Sequence, residues 1–169
     1  TILELLSIAP KEDFSISWDD KNSSSLWFNF ADLEFKTNRL DGVFPQYKQL
    51  IPDSLPNKAI FNRKDMLNAL EQVGIIAKED KKQIIKIDFL TDEIKIVANS
   101  DENESEIFVN AEIIGEHREI ALNIFYLIDA LKMFETENLS IEYNQAISPV
   151  LVKNDEPNCI GLIMPIQLR

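Results

Sequence analysis

The chain has 169 residues, a formal net charge of −12 at pH 7 and 45% hydrophobic residues. This length holds one domain plus part of another, and the acidic excess argues against a protein that grips nucleic-acid phosphates over its whole surface. No apolar run approaches the ~18–20 residues of a membrane span, no signal peptide is visible, and the single cysteine, Cys159, fits a reducing, cytoplasmic compartment.

The first forty residues predict the end of a helix followed by three strands. Residues 3–6 are typical of an amphipathic helix end. Phe14, Ile16 and Trp18 alternate with polar residues, which is the period of a half-buried strand. Residues 26–30 and 33–37 predict two more strands. Such a block cannot close its own core, so we expect it to be part of an incomplete domain.

A connector with unusual apolar content follows at residues 40–52. Asp41-Gly42 signals a turn, and Pro45 and Pro52 each break regular structure. Between them stand five large apolar residues, which are Val43, Phe44, Tyr47, Leu50 and Ile51. We therefore expect this connector to lie against a protein surface rather than in solvent.

From residue 57 the pattern reads β-α-β-β-β. A short strand at 59–61 precedes Asn62, which is a plausible helix N-cap with Asp65 three residues later. One helical face then carries the apolar residues Met66, Leu70, Val73 and Ala77. Strands are predicted at 84–90, 94–98 and 106–114.

The same pattern then repeats. A strand at 119–121 leads to Asn123, which is 61 residues after Asn62 and caps a second predicted helix. The apolar face of that helix carries Ile124, Leu127, Ile128 and Leu131, and strands are predicted at 139–143, 150–153 and 160–166. The sequence predicts an α+β domain of two pseudo-symmetric halves, with helices on one side and antiparallel sheets on the other.

The two apolar segments at 40–52 and 164–168 carry a family resemblance. The first reads L-D-G-V-F-P-Q-Y-K-Q-L-I-P and the second M-P-I-Q-L. Both resemble the bacterial sliding clamps, the beta subunits of DNA polymerase III, and the resemblance runs over nearly the whole chain. It implies the DNA-clamp fold, with residues 1–47 as the end of a middle domain plus linker and residues 48–169 as the C-terminal domain. It also implies that the chain is a fragment of a three-domain subunit.

The resemblance further implies a processivity factor for DNA replication. Such a clamp encircles duplex DNA without regard to sequence and binds linear motifs of the polymerase III alpha subunit, the clamp loader, other polymerases and repair proteins. The full-length protein would form a head-to-tail dimeric ring, whereas this chain would be a monomer or associate weakly. The resemblance implies no catalytic residues, metal or cofactor. A ring needs little contact affinity, which accommodates the acidic charge.

A peptide-binding pocket is the first implied site. The resemblance carries it onto Pro45, Gln49, Leu50, Asn123, Tyr126, Ile147, Pro149, Leu162, Met164, Pro165, Ile166, Gln167 and Leu168. Without the resemblance, ordinary core residues and a docked tail would be the favoured explanation of these side chains. The family often has arginine at the positions of Gln49 and Gln167, so the charge of this pocket differs from the family pattern.

A subunit interface is the second implied site. It comprises Ile75 and Ile76 at a helix end that is apolar all round, with the acidic residues Asp101, Glu102, Glu104 and Glu106 nearby. The alternatives are a core turn for the isoleucines and a solvated loop for the acidic run. A calcium loop fits poorly, since the turn glycine and the distal glutamate of an EF-hand are missing.

A DNA-facing surface is the third implied site. It comprises basic residues on or beside the two helices, which are Arg63, Lys64, Lys78, Lys81, Lys82 and Lys132. Their contacts with phosphates would be sequence-independent and salt-sensitive. Scattered surface lysines are the alternative for each residue taken singly.

Enzyme functions find little support. The four glycines form no phosphate-binding loop, and the only histidine, His117, lacks a metal-ligand partner at useful spacing. Two alternatives to a clamp stay open at this point, a peptide-binding scaffold without a role on DNA and a small carboxylate-based hydrolase.

Overall fold

A three-stranded antiparallel sheet forms the first of the two units into which the chain divides, residues 1–46 and 47–169. The computed structural model describes residues 13–18, 24–30, 32–40, 42–44, 46–78, 81–156 and 159–168. The predicted helix end at 3–6 lies outside these ranges, as do Asp41, Pro45 and Arg169. None of the helices in the described ranges is long and apolar enough to cross a membrane.

The first unit pairs its strands in the order β1 (Ser15–Trp18), β2 (Ser25–Asn29), β3 (Glu34–Asn38). The register sets Ile16 opposite Phe28 and Phe28 opposite Phe35, so one face of the sheet is strongly apolar. Phe14, Ile16 and Trp18 are nevertheless 48–56% exposed. The predicted strand is confirmed, but its predicted half-burial is wrong, because no second layer covers that face within the described part of this unit.

The second unit follows the predicted β-α-β-β-β pattern twice. A one-turn 3-10 helix at Tyr47–Leu50 precedes its first strand. The first repeat comprises β4 (Asn57–Asn62), α1 (Arg63–Ala77), β5 (Ile84–Phe89), β6 (Glu93–Asn99) and β7 (Glu104–Ile114). The second repeat comprises β8 (Arg118–Asn123), α2 (Ile124–Lys132), β9 (Asn138–Tyr143), β10 (Val150–Lys153) and β11 (Ile160–Ile163).

All eight strands join one antiparallel sheet in the order β11-β10-β9-β4-β7-β6-β5-β8. Each half of this order contains three strands of one repeat and the first strand of the other. The helices pack against the sheet and against each other. Their predicted apolar faces are confirmed, since Met66, Leu70, Leu127 and Leu131 have no exposed surface. The observed architecture is the predicted α+β arrangement of two repeated halves.

The two helices begin in the same way. Asn62 Oδ1 accepts hydrogen bonds from the N–H groups of Lys64 (2.9 Å) and Asp65 (3.3 Å), and Asn123 Oδ1 accepts the equivalent pair at the same distances. Both asparagines have φ −74° and ψ 126°, as an N-cap requires. The predicted caps are therefore confirmed.

Each helix start is also bonded to the loop that follows the other helix. Arg63 N donates to Glu137 O (2.8 Å), and Ile124 N donates to Gln83 O (3.0 Å). These bonds satisfy N–H groups that have no partner inside a helix. The two repeats are thus joined at both helix starts as well as through the sheet.

The loop between the repeats is held by buried polar groups. Asn57 Oδ1 accepts the N–H of Glu116 (2.7 Å), and the Tyr143 hydroxyl donates to Glu116 O (3.1 Å). Gly115 has φ +103°, and a Cβ there would lie 2.3 Å from Asn57 Oδ1. Only glycine fits this position. Burial raises the pKa of Tyr143 to about 12, so its hydroxyl stays a donor at neutral pH.

Two predictions about the chain's apolar segments are wrong. In the connector, Val43 and Phe44 are 93% and 79% exposed, and the 3-10 helix buries no residue. The predicted strand at 160–166 ends at Ile163. Pro165 has no N–H to continue a ladder. Ile166 N bonds instead to Ala121 O of β8 (2.8 Å).

Candidate functional site

An apolar cavity lies between α2 and β11. Its volume is about 460 Å³, and it is lined by Tyr126, Asp129, Ala130, Met133, Ile160, Gly161, Leu162, Ile163 and Met164. The helix residues recur at i, i+3, i+4 and i+7, which puts them on one side of α2. β11 ends the sheet, so its outer edge is available to the helix. A Cβ on Gly161 would approach Ala130 Cβ to 3.1 Å, so glycine permits this close packing.

A second hollow, here called the tail hollow, lies beside the chain's last described residues. It has a volume of about 360 Å³ and is lined by Lys82, Ile84, Ile166, Gln167 and Leu168. The Ile166–Ala121 hydrogen bond holds this segment against β8. Asn123 Nδ2 donates to Lys82 O (3.4 Å), so the start of α2 stands beside the tail hollow.

The structure brings together only part of the predicted peptide pocket. Three predicted residues, Tyr126, Leu162 and Met164, line the apolar cavity, and three more, Ile166, Gln167 and Leu168, line the tail hollow. Asn123 joins the two regions as the cap of α2. Pro165 is half-buried between Met164 and Ile166.

The other predicted pocket residues lie elsewhere. Gln49 and Leu50 are in the exposed 3-10 helix and line neither hollow. Ile147 is 63% exposed in the β9–β10 turn, and Pro149 is half-buried just before β10. Pro45 lies outside the described residues. The prediction missed Asp129, Met133 and Ile160, although the helical spacing from Tyr126 to Met133 could have revealed the first two.

An open strand edge marks the first repeat. β7 pairs with β4 only through residues 111–114, whereas β6 pairs with residues 104–110. On the side of β4, residues 104–110 therefore have no strand partner among the described residues. Phe108 lies on this stretch and is 47% exposed. Sequence reasoning missed Phe108, although it occupies the polar phase of an alternating strand.

A polar hollow lies between this edge and α1. Its volume is about 240 Å³, and it is lined by Asp65, Asn68, Ala69, Gln72, Ile107, Phe108, Val109 and Asn110. Like the apolar cavity, it lies between a helix and the last strand of a repeat. The two hollows are equivalent in position and differ in chemistry.

The predicted interface residues behave differently from one another. Ile75 is 67% exposed, as expected, but Ile76 is partly buried and packs on the core. An exposed patch of both isoleucines is therefore wrong, because adjacent residues on a helix face different directions. Asp101, Glu102 and Glu104 are exposed at the β6–β7 turn.

Glu106 is not simply a solvated acid. It forms an ion pair with Lys95 (2.5 Å), and this hydrogen bond raises the pKa of Lys95. Lys95 Nζ also lies 5.9 Å from the Phe108 ring centroid. Glu106 and Phe108 of β7 are thus linked through Lys95 of the neighbouring strand β6.

The predicted DNA-facing residues lie on or beside the helices. Lys64, Lys78, Lys81, Lys82 and Lys132 are exposed, whereas Arg63 is half-buried and its Nε donates to Thr136 O (3.0 Å). Residues 63–82 carry five basic and four acidic side chains, against 17 and 29 in the whole chain. The first helix and the loop after it therefore lack the excess of acidic residues found in the chain as a whole.

The described residues offer little to catalysis. Among them, no group of three or more histidine, cysteine, aspartate or glutamate side chains could hold a metal ion. His117 is exposed in the inter-repeat loop, and Cys159 is half-buried. The prominent features of the described residues are two hollows beside sheet edges, one polar and one apolar.

Comparisons with known proteins agree with this geometry. The family model of the DNA polymerase III beta subunit, C-terminal domain, matches residues 48–167. A beta sliding clamp of Synechococcus elongatus is 35% identical over 145 residues, covering 84% of this chain and 39% of the relative. One of Proteus mirabilis is 27% identical over 169 residues, covering 99% of this chain and 46% of the relative.

A solved structure gives the same answer for the fold. The DNA polymerase III subunit beta of Pseudomonas aeruginosa has a TM-score of 0.86 and 26% identity, covering 99% of this chain and 46% of its own. The chain thus spans less than half the length of these relatives. The family membership that the resemblance predicted is confirmed.

Proposed function

The chain belongs to the family of the DNA polymerase III beta subunit, the beta sliding clamps, and we propose that it is the C-terminal part of a clamp that encircles duplex DNA. Its role is to hold a replicative polymerase on the template. The observation that carries this proposal is the family match over 48–167 on a doubled repeat with two helices on one side of the sheet.

Tethering requires a site that captures partner proteins. The apolar cavity and the tail hollow supply it, with the apolar cavity burying leucine or phenylalanine side chains of a linear motif. Each fully buried side chain contributes roughly 1.5–3 kcal/mol. Two such anchors give roughly micromolar affinity after the peptide has been ordered. Polymerases, the clamp loader and repair proteins would compete for this site.

Contact with DNA falls to the helices. The basic side chains of Lys64, Lys78 and Lys132 are exposed there, and residues 63–82 carry one more basic than acidic side chain. Their contacts are with phosphates, so they favour no base sequence and weaken as salt rises. Because a closed ring retains DNA topologically, weak contacts are sufficient and allow sliding.

Ring closure uses the open edge of β7. A partner strand can pair with residues 104–110, while Ile75 and Phe108 supply apolar contacts. The acidic turn at Asp101, Glu102 and Glu104 suits a basic partner surface. Such a contact joins two different surfaces head to tail and closes by rotation. The clamp has no catalytic role of its own and acts as an accessory subunit.

Peptide capture can be tested by substitution at equivalent positions of the two repeats. Tyr126→Ala removes an apolar wall, whereas Asp65→Ala changes the residue 61 positions earlier in the polar hollow. We expect Tyr126→Ala to weaken a labelled Leu-Phe motif peptide at least tenfold and Asp65→Ala to leave its affinity unchanged, measured by fluorescence anisotropy. Equal effects of the two substitutions would remove the groove from the proposal.

Encirclement needs a separate experiment with the full-length protein. Loaded by a clamp loader onto a nicked circular plasmid, the protein should stay bound through high-salt gel filtration. Linearising the plasmid should release it, because a ring slides off a free end. Peptide binding without retention on the circle would indicate a scaffold that does not act on DNA.

A further inference from the structure

The two hollows of the proposed peptide site carry opposite charges. Asp129 is the one charged side chain among the residues that line the apolar cavity, and Lys82 is the one charged side chain among those that line the tail hollow. Both residues are exposed. A cation here is notable because the chain as a whole carries a net charge of −12.

Helix α2 sets the distance between these hollows. Lys82 stands beside the cap residue Asn123, through the 3.4 Å hydrogen bond to its carbonyl. From Asn123, Tyr126 lies one turn along the helix, Asp129 two turns and Met133 nearly three. At 1.5 Å per residue, Met133 is roughly 15 Å from the cap. An extended peptide covers that length with about five residues, at roughly 3.3 Å each.

The polarity of the lining favours one kind of occupant. Apolar side chains of the peptide belong beside Met133, Leu162 and Met164, where the walls are apolar. At the other end, Ile84 and Leu168 are apolar and Gln167 is neutral, so Lys82 supplies the one formal charge of that lining. A carboxylate placed there would be attracted, and a lysine or arginine repelled.

We infer that Lys82 selects partner motifs by charge, favouring a segment of about five residues with an acidic side chain at the tail hollow and apolar side chains in the apolar cavity. This inference rests on the proposed peptide capture. It moves Lys82 from the DNA-facing surface, where the sequence had suggested it, to the peptide site. Asp129, which lines the apolar cavity, would favour a basic peptide side chain and disfavour an acidic one there.

The test compares pairs of peptides that differ only in having glutamate or glutamine at one position. Six-residue labelled peptides carry Leu-Phe at one end and either glutamate or glutamine three to five positions away. Both chain directions are synthesised, because the groove does not fix the direction. We expect the glutamate peptide of one direction to bind about threefold to fivefold more tightly at low salt, the range of an exposed ion pair, and this preference to shrink at 0.5 M salt.

Variants assign the preference to one side chain. Lys82→Gln should abolish it while leaving the glutamine peptide's affinity unchanged. Lys82→Glu should reverse it and favour a peptide with lysine at that position. Lys86→Gln is the matched control, since Lys86 lies two residues beyond Ile84 on β5, pairs with Glu119 at 3.5 Å and lies outside the lining. It should keep the wild-type preference.

Each outcome has a defined meaning. Equal affinity for glutamate and glutamine peptides in both directions overturns the role of Lys82 but leaves peptide capture standing, provided Tyr126→Ala still weakens both. Failure of every peptide to bind the unaltered protein overturns capture and the inference together. If Lys82→Gln weakens salt-sensitive DNA binding and leaves peptide discrimination intact, the cation belongs to the DNA surface, and the inference is wrong.

Discussion

The two repeats of the second unit use one plan to build two different surfaces. A shift of 61 residues relates Asp65 to Tyr126, Asn68 to Asp129, Ala69 to Ala130 and Gln72 to Met133, and each set lines a hollow beside the last strand of its repeat. The alanine is retained where helix and strand are closest. The flanking residues are polar in the first repeat and mainly apolar in the second.

The strands differ as well as the helices. β7 has eleven residues, and seven of them have no strand partner on one side among the described residues, whereas β11 has four residues and is followed by the tail. A long open edge suits pairing with another strand. A short edge beside an apolar helix face leaves a groove for side chains. The two repeats thus share the core and differ at their edges, which is where the proposed peptide site and the proposed subunit interface lie.

The largest expected effect tests the shared core. Leu70 and Leu131 occupy equivalent buried positions in the two helices, 61 residues apart in sequence, and neither has exposed surface. Either leucine changed to alanine should lower the free energy of unfolding by about 2–5 kcal/mol. Urea denaturation followed by circular dichroism should show one shifted transition for each variant. Leu50→Ala, at an exposed site, should change little. Two separate transitions would mean that the repeats unfold independently.

A smaller effect separates the two isoleucines at the end of α1. Ile76→Lys puts a charge against the core and should cost about 1–3 kcal/mol of stability. Ile75→Lys changes an exposed residue and should stay within about 0.5 kcal/mol. In the full-length protein, Ile75→Lys should still weaken the dimer measured by sedimentation velocity. An unaltered dimer would place the subunit interface elsewhere.

The helix caps should respond almost equally in stability and differently in binding. Asn62→Ala and Asn123→Ala each remove an acceptor for two N–H groups, which costs about 1 kcal/mol. Thermal melts monitored by circular dichroism measure this loss. Peptide affinity should fall only for Asn123→Ala, because that cap joins the two parts of the groove. An equal loss of affinity in Asn62→Ala would point to a general loss of structure.

The smallest effect concerns pH and the loop between repeats. Because burial raises the pKa of Tyr143 from 10.0 to about 12, the unfolded chain releases this proton at a lower pH than the folded chain. The contribution is fully present below pH 10 and is lost as pH rises towards 12. Tyr143→Phe should therefore flatten the decline of the melting temperature between pH 10 and 11.5, and Tyr126→Phe should not. Parallel declines in all three proteins would contradict the assignment.

Periodicity and capping were sufficient to predict the second unit. Asn62 and Asn123 mark the helix starts, and the apolar spacing after each identifies the buried face. Both signals are local in sequence, so they can be recognised without the structure. Burial of the isolated strands was not predictable in this way. Phe14 and Trp18 alternate correctly, yet their exposure depends on whether a second layer covers the sheet.

The groove was predicted only in part for a similar reason. Tyr126 and Met164 were identified through the family resemblance, whereas Met133 and Ile160 meet through packing of α2 on β11. Phe108 was missed because its position on an open strand edge depends on how far β4 pairs along β7. The length of that pairing cannot be predicted from local sequence. The position of Lys82 beside the tail hollow was not predicted, because it depends on the fold of the tail, which the Ile166–Ala121 hydrogen bond holds in place.

The strand order has a consequence for how the molecule is assembled. β4 of the first repeat completes the half-sheet of the second, and β8 of the second repeat completes that of the first. The two repeats therefore exchange their first strands. Neither half can reach its final form before the other is present, because three of the seven strand pairs, β4–β9, β4–β7 and β5–β8, join strands far apart in sequence. Such pairing slows folding. A cut in the exposed loop at Glu116-His117 should then yield two pieces that are unstructured alone and restore the domain when mixed.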